Sequence, residues 1–297
     1  MKHAFMIMAH NEWGLLQQLI TLLDDERNDI FILIDKKVRA KPNIIAEKSV
    51  VRFVPDSLRV DIRWGTSSLV EADLTLLEYA YSFSPYEYYH LLSGVDLPIK
   101  GNNYIHNFFS ENKGKEFVGF MPYSKTNTYE QRLRYYHFFV PKTRKRSLRK
   151  YVPLVFHDIL LFCQKALHIK RYPDIEIRKG EMWVSITEQF AKYTLERKLD
   201  IFRKIQYTQL VDELIWQTVI WNSPFRNSIY TLTSEHDGCM REIDWKRGRP
   251  YVWGQDEHDF EILMKSNKLF ARKFSSKFPD IIDKVFNAIN KENGKAK

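Results

Sequence analysis

The sequence predicts an α/β protein with a Rossmann-like, mostly parallel central sheet flanked by helices, and three stretches carry that prediction. "HAFMIMAH" and "DIFILID" are apolar runs of strand length, and "GLLQQLITLLDD" between them has apolar residues at helical spacing. A strand, a helix and a second strand in close succession begin an alternating unit of the kind that builds parallel sheets.

The following segments continue the alternation. "VVRFVP" reads as a third strand, and "SSLVEADLTLLEYAYSF" as a helix with Ser67 or Ser68 as its N-cap. "EYYHLLSGVDLPIK" is a strand that stops at Gly94, and Pro98 ends the regular pattern. Sheets of this type bind ligands at the carboxyl ends of their strands. His10, Asn11, Asp35, Trp64 and Asp96 fall at those ends and are candidate pocket residues. Glycine-rich phosphate loops are absent.

Residues 121–180 differ in character. "VPKTRKRSLRK" (Val140 to Lys150) carries six basic residues, and "VPLVFHDILLFCQKALHIK" after it reads as an amphipathic helix. Two readings stay open for 142–170: a solvated basic loop before an ordinary packed helix, or a patch that rests on an anionic membrane surface. Order returns from Lys179. "GEMWVSI" is strand-like, "TEQFAKYTLERKL" is helical with Thr187 as N-cap, and "TQLVDELIWQTVIWNS" is a helix with Asp212 and Glu213 in its first turn. "NSIYTLT" and "MREIDW" read as strands. "SNKLFARKFSSKF" reads as a basic helix that packs Phe270 and Phe274 and presents Arg272 and Lys273, with Lys268 and Lys277 solvated. The expected organisation is one domain over 1–285 and a polar tail over 286–297. Within the domain, 1–120 and 181–285 form two halves around the 121–180 insertion.

Composition narrows the functional classes. The 297 residues are 44% hydrophobic and 28% charged, which fits a globular chain and leaves little room for disorder. The net charge of +9 points to anionic partners: phosphorylated substrates, an acidic membrane surface or nucleic acid. No nucleic-acid-binding module is visible, which ranks that partner below the others. Cys163 and Cys239 have no metal-ligand spacing, and with no signal peptide or long apolar span the simple expectation is a cytoplasmic protein.

Several residue types suggest chemistry, each beside a plainer reading. Glu213 in "VDELIWQT" is ringed by apolar neighbours whose desolvation suits a general base; alternatively it complements a helix dipole. Trp183 and Trp245 suit a sugar face, or core packing. Arg247, Arg249, Arg272 and Lys273 suit a phosphate group, or a solvated face. No Asp-x-Asp follows a strand in the first half, no histidine pair has metal-ligand spacing, and no Gly-x-Ser-x-Gly turn occurs.

Taken in order, "MKHAFMIMAHN", "ILIDKK", "RWGTSSLVEADL", "YYHLLSGVDLPIK", "KGEMWVSIT", "DELIWQT", "MREIDWKRGRPY" and "LFARKF" resemble glycosyltransferase family 14, in particular its short bacterial branch. This family comprises the core-2/I-branching β-1,6-N-acetylglucosaminyltransferases and the protein xylosyltransferases. The resemblance implies a GT-A-type fold and inverting sugar transfer from a nucleotide sugar. UDP-N-acetylglucosamine is the commonest donor, no metal or other cofactor is needed, and the acceptor is a saccharide hydroxyl. For a bacterial member it implies surface polysaccharide synthesis, with lipid-linked saccharides among the acceptors, and a cytoplasmic or peripheral inner-membrane location. It implies Glu213 as catalytic base and Arg272 with Lys273 on the donor diphosphate. Arg249 is matched to a second phosphate-binding arginine, with Arg247 as the alternative. It also implies His10, Asn11, Asp35, Trp64 and Asp96 around the nucleotide, and Trp183 and Trp245 near the acceptor. Met182 departs from the xylosyltransferases, which carry an acid there. Two other classes compete: a basic nucleic-acid-binding protein, told apart by steeply salt-dependent binding, and a silent relative that binds nucleotide sugar without turnover.

Overall fold

The computed structural model describes residues 2–63, 65–138 and 151–294. Trp64 and the basic run Val140–Lys150 lie outside the described residues. The alternating pattern becomes β1 (His3–Ala9), α1 (Trp13–Leu23), β2 (Asn28–Ile34), β3 (Val50–Phe53), α2 (Ser68–Tyr81), β4 (Tyr88–Ser93) and β5 (Asp96–Pro98). After these come α3 (Asn102–Glu111), α4 (Tyr123–Arg134), α5 (Tyr151–Ala166), β6 (Ser185–Thr187), α6 (Glu188–Glu196), α7 (Lys198–Ile205) and α8 (Ile215–Trp221). The last elements are α9 (Glu235–Cys239), β7 (Arg241–Ile243), α10 (Asp259–Lys265), β8 (Phe270–Arg272) and α11 (Pro279–Glu292).

Every residue of β1, β2 and β4 is buried, as strands covered on both faces require. The main sheet has the order β3-β2-β1-β4-β6. Its first four strands are parallel, and β6 runs antiparallel along β4. Alternation along β1 divides the core. Ala4, Met6 and Met8 face a layer containing α2, α6 and α8, while Phe5, Ile7 and Ala9 face α1, α3 and α11. Parallel pairing brings the carboxyl ends of β1, β2 and β4 to one edge. There Asp35 N–H donates to Ala9 O (3.0 Å) and Gly94 N–H to Met8 O (2.8 Å). A Cβ on Gly94 would lie 2.8 Å from that of Ala9, so only glycine lets the chain turn this tightly at the sheet edge.

Local signals behave as the chemistry predicts at Thr187, whose hydroxyl accepts from Phe190 N–H (3.2 Å) and caps α6. Ser67 occupies the cap of α2 without a side-chain bond, and the neighbouring Ser68 hydroxyl accepts from Arg63 N–H (2.7 Å).

Four segments differ from expectation. "FARKF" is a strand: β8 pairs antiparallel with β5 and parallel with β7 in a second, three-stranded sheet. The helical spacing of Phe270 and Phe274 is real, and both are buried, but pairing with residues distant in sequence decides the conformation. Lys268 is buried and paired with Asp237 rather than solvated. "NSIYTLT" forms only an isolated bridge between Ile229 and Glu116. The expected tail from 286 continues α11 as far as Glu292, with Ile289 buried. Beyond that helix the chain binds the start of α3: Glu292 Oε2 accepts from Gly101 N–H and Asn293 Oδ1 from Asn102 N–H, both at 2.7 Å.

Candidate active site

The strand ends and the second sheet meet around Arg272. The β5–β8 register places Asp96 opposite Arg272. Arg272 Nη1 donates to Asp96 Oδ1 (2.7 Å) and to the Ser93 hydroxyl. Asp96 is itself fixed by Ser93, whose N–H (2.8 Å) and hydroxyl (3.0 Å) both donate to it. The guanidinium lies 4.2 Å from the centre of the Trp183 ring. Charge, hydrogen bonds and stacking together hold Arg272 in one orientation. The segment after Lys273 turns back to the end of β1, where Glu12 accepts from the Ser275 hydroxyl (3.1 Å) and Ser276 N–H (3.3 Å). His10 and Asn11 are exposed at that end. Asp35, buried after β2, pairs with Lys37 (2.8 Å).

A cavity of about 740 Å³ opens beside this group. Its acids are Glu181, Glu213, Glu235, Glu242 and Asp244, its cations include Arg132 and Lys179, and Tyr129, Trp245 and Trp253 supply aromatic surface. Glu213 lies just before α8, in the turn ahead of the helix rather than in its first helical turn. Its carboxylate is not enclosed by apolar groups: it is about one-third exposed and bridges Arg132 Nη1 (3.1 Å) and Lys179 Nζ (3.2 Å). The backbone around it is fixed by a close crossing. Gly180 N–H donates to Glu213 O (2.9 Å), and a Cβ on Gly180 would fall 1.8 Å from Gly119 O. Gln217 Nε2 completes the crossing by donating to Gly119 O (3.0 Å) and Glu181 O (2.7 Å).

Three further groups crowd the floor of the cavity. Ligand atoms of Glu181, Glu235 and His236 lie within 4.8 Å of one another, so these are the residues that could offer a cation a site. Burial, reinforced by the nearby Glu235 charge, pushes the Glu181 carboxyl up to about 7. Burial also raises Glu235, and burial lowers His236. A carboxyl that holds its proton can donate a hydrogen bond here. Glu181 Oε1 accepts from the Trp245 indole N–H at 2.6 Å, which holds that half-exposed ring at the cavity wall.

The predicted residues therefore fall into two groups. Glu213 and Trp245 line the cavity; Asp96 and Arg272 sit at the strand ends with Trp183, which is buried beneath the guanidinium. Trp253 joins the groups: it lines the cavity, while its indole N–H donates to Arg272 O (3.0 Å) and its backbone N–H to Lys273 O (3.0 Å). Arg247 lines the cavity but is engaged by Asp244 (2.5 Å) and Asp259 (2.9 Å). Arg249 is exposed. Sequence reasoning missed Arg132, Lys179, Glu181, Glu235, His236 and Trp253. The available signal was "KGEMW", where Glu181 stands two residues before Trp183.

Among curated proteins, the chain is similar to xylosyltransferase 1 of Homo sapiens and of Pan troglodytes, each 24% identical over 301 residues. The match covers 92% of this chain but 29% of each relative's length. The family model of the core-2/I-branching enzymes matches residues 3–265, a span that contains the mostly parallel sheet, Asp96, Trp183 and the Glu213 cavity and ends before Arg272. The chain thus belongs to the core-2/I-branching enzyme family of glycosyltransferases.

Proposed function

We propose that the protein is an inverting, metal-independent transferase that moves N-acetylglucosamine from a UDP donor to a saccharide hydroxyl in bacterial surface polysaccharide synthesis. The observation that supports it best is the placement of Glu213: an accessible carboxylate held between Arg132 and Lys179, in a cavity that also presents Trp245. Sugar recognition calls for such a combination of polar groups and an aromatic face.

In this reading an acceptor hydroxyl lies at Glu213, which takes its proton as the oxygen attacks the anomeric carbon. Attack comes from the face opposite the nucleotide. The new C–O bond forms as the bond to the diphosphate breaks, and configuration inverts. The departing diphosphate gains negative charge, which Arg272, Lys273 and Arg249 meet in place of a metal ion. Arg272 suits this role. Among the described residues its side-chain bonds, to Asp96 and Ser93, come from Nη1, which leaves Nε and Nη2 for phosphate oxygens. His10, Asn11, Asp35 and Trp64 complete the nucleotide side, and Trp183 supports Arg272 between donor and acceptor.

A thermal-shift panel of nucleotides and nucleotide sugars in the presence of a chelator tests the reading. A ligand at 100 times its Kd stabilises by about 2.7 kcal/mol. The expected result is stabilisation by UDP, a further rise with UDP-N-acetylglucosamine, and turnover with that donor. Absence of any UDP effect, or an effect that the chelator abolishes, would sink it. Binding without turnover would identify a silent relative.

A further inference from the structure

We infer that the outward face of α5 is a docking surface for an anionic lipid bilayer. The helix is mounted inside out. Its inward side is largely polar: His157 Nε2 bonds His137 Nδ1 (2.9 Å), and the Gln164 side chain accepts from Tyr136 N–H (2.8 Å) and donates to Tyr136 O (3.0 Å). Its outward side is apolar. Val155, Phe156, Ile159 and Leu160 are exposed there, with Phe162 at 72% and Leu167 just beyond the helix at 70%. A water-facing helix normally has the reverse arrangement, and an exposed apolar patch of this kind marks an interaction surface.

Exposed aromatic rings also flank the helix, beside its inward side. Tyr136, Phe138 and Tyr207 are exposed, with ring centres 5.9 Å apart for Tyr136–Phe138 and 5.2 Å for Phe138–Tyr207. Aromatic side chains with a polar end suit the bilayer–water boundary. The helix has 16 residues, and no described helix is long and apolar enough to cross a membrane, so it lies in the interface plane.

Charge selects lipid over a second copy of the chain. Lys165 and Lys170 are exposed beside the apolar residues, and in sequence the residues between Phe138 and Tyr151 include six cations. A twofold-symmetric dimer through this face would bring two copies of Lys165 and Lys170 together, within a chain already carrying +9. Anionic headgroups neutralise them instead. The inward side of the same helix adjoins the Glu213 cavity: a further cavity, of about 470 Å³, is lined by Leu161 and His137 and shares Tyr129 and Arg132 with the first.

The test is co-sedimentation of the full chain with vesicles of phosphatidylcholine alone or mixed equally with phosphatidylglycerol. Binding is expected only to the mixed vesicles, and it should weaken with salt. The double variant Phe156→Asp, Phe162→Asp should lower the bound fraction at least ~10-fold, as loss of two buried rings and gain of two anions requires. Its circular dichroism and melting temperature should match the wild type, because both side chains face outward. Failure of the wild type to bind mixed vesicles, or equal binding by a folded double variant, overturns the inference. So does a lipid-free dimer that the double variant converts to monomer. The inference is independent of the transfer reaction, so neither result decides the other.

Discussion

The two charged centres of this site are built in opposite ways. At the strand ends one buried acid, Asp96, holds one arginine, and that arginine also stacks on Trp183. In the cavity two cations hold one accessible acid, Glu213, and two more carboxyls, Glu181 and Glu235, stand close with raised affinity for protons. The first centre is a closed ion pair; the second holds a carboxyl, Glu181, raised to about 7, which gains and loses a proton near neutral pH. That division suits a reaction in which a diphosphate leaves on one side and a hydroxyl loses its proton on the other. It also means that pH dependence near neutrality should arise in the cavity, at Glu181.

The largest effect expected from breaking this contrast is at Glu213. Glu213→Gln keeps the size and one acceptor oxygen but cannot take a proton, and turnover should fall by roughly 10³-fold. Next is Asp96→Asn, which removes the charge partner that orients Arg272. A small displacement of a transition-state cation should reduce kcat by about 10- to 100-fold, with little change in the pH profile. Steady-state kinetics against donor concentration separates that outcome from a loss of donor binding.

Smaller effects sharpen the cavity side. Glu181→Gln should change turnover by less than ~10-fold yet remove a bend in the pH–rate profile near 7, where the Glu181 carboxyl titrates. Stability should follow the same groups. Burial raises Glu181 and Glu116 to about 7 and Asp212 to about 6, so the folded chain binds more protons than the unfolded one between the ordinary carboxylate range and these values. Their contribution is complete below that range and fades as pH rises through 6 and 7, so these groups lower the melting temperature across that interval. Each such group contributes a slope of at most about 1.4 kcal/mol per pH unit. Asp25 acts in the opposite sense: its hydrogen bond from Arg27 lowers it to about 2, so its contribution is lost only at strongly acid pH. The melting temperature of the wild type relative to Glu181→Gln should fall as pH rises from the ordinary carboxylate range to about 7 and level off above it; a difference that does not change with pH would show that Glu181 does not titrate as described.

What the sequence made legible follows from the range of the forces involved. β1, β2 and β4 are uninterrupted apolar runs with one stable fate, and Thr187 caps its helix through a contact three residues away. β8 was illegible because its partners are far off in sequence, so the local spacing of Phe270 and Phe274 suggested a helix. Two amphipathic helices show the same limit. α11 turns Ile281, Ile282, Val285 and Ile289 into the core, whereas α5 turns its apolar side outward; periodicity specifies a stripe but not the direction it faces. At the site, Glu213 stood out only through the resemblance that "DELIWQT" carries, since its apolar neighbours in sequence do not enclose its carboxylate. Arg132, Glu235 and Trp253 were not, because only the folded chain brings them to the same cavity.

Turnover and UDP binding measured together in Glu213→Gln test the central claim most directly. The structure places Glu213 in the cavity and Arg272 at the strand ends, so proton removal and diphosphate binding should separate cleanly. The predicted result is a turnover loss of roughly 10³-fold with the UDP-induced thermal shift unchanged. Full turnover in this variant, or loss of UDP binding along with turnover, would contradict the account.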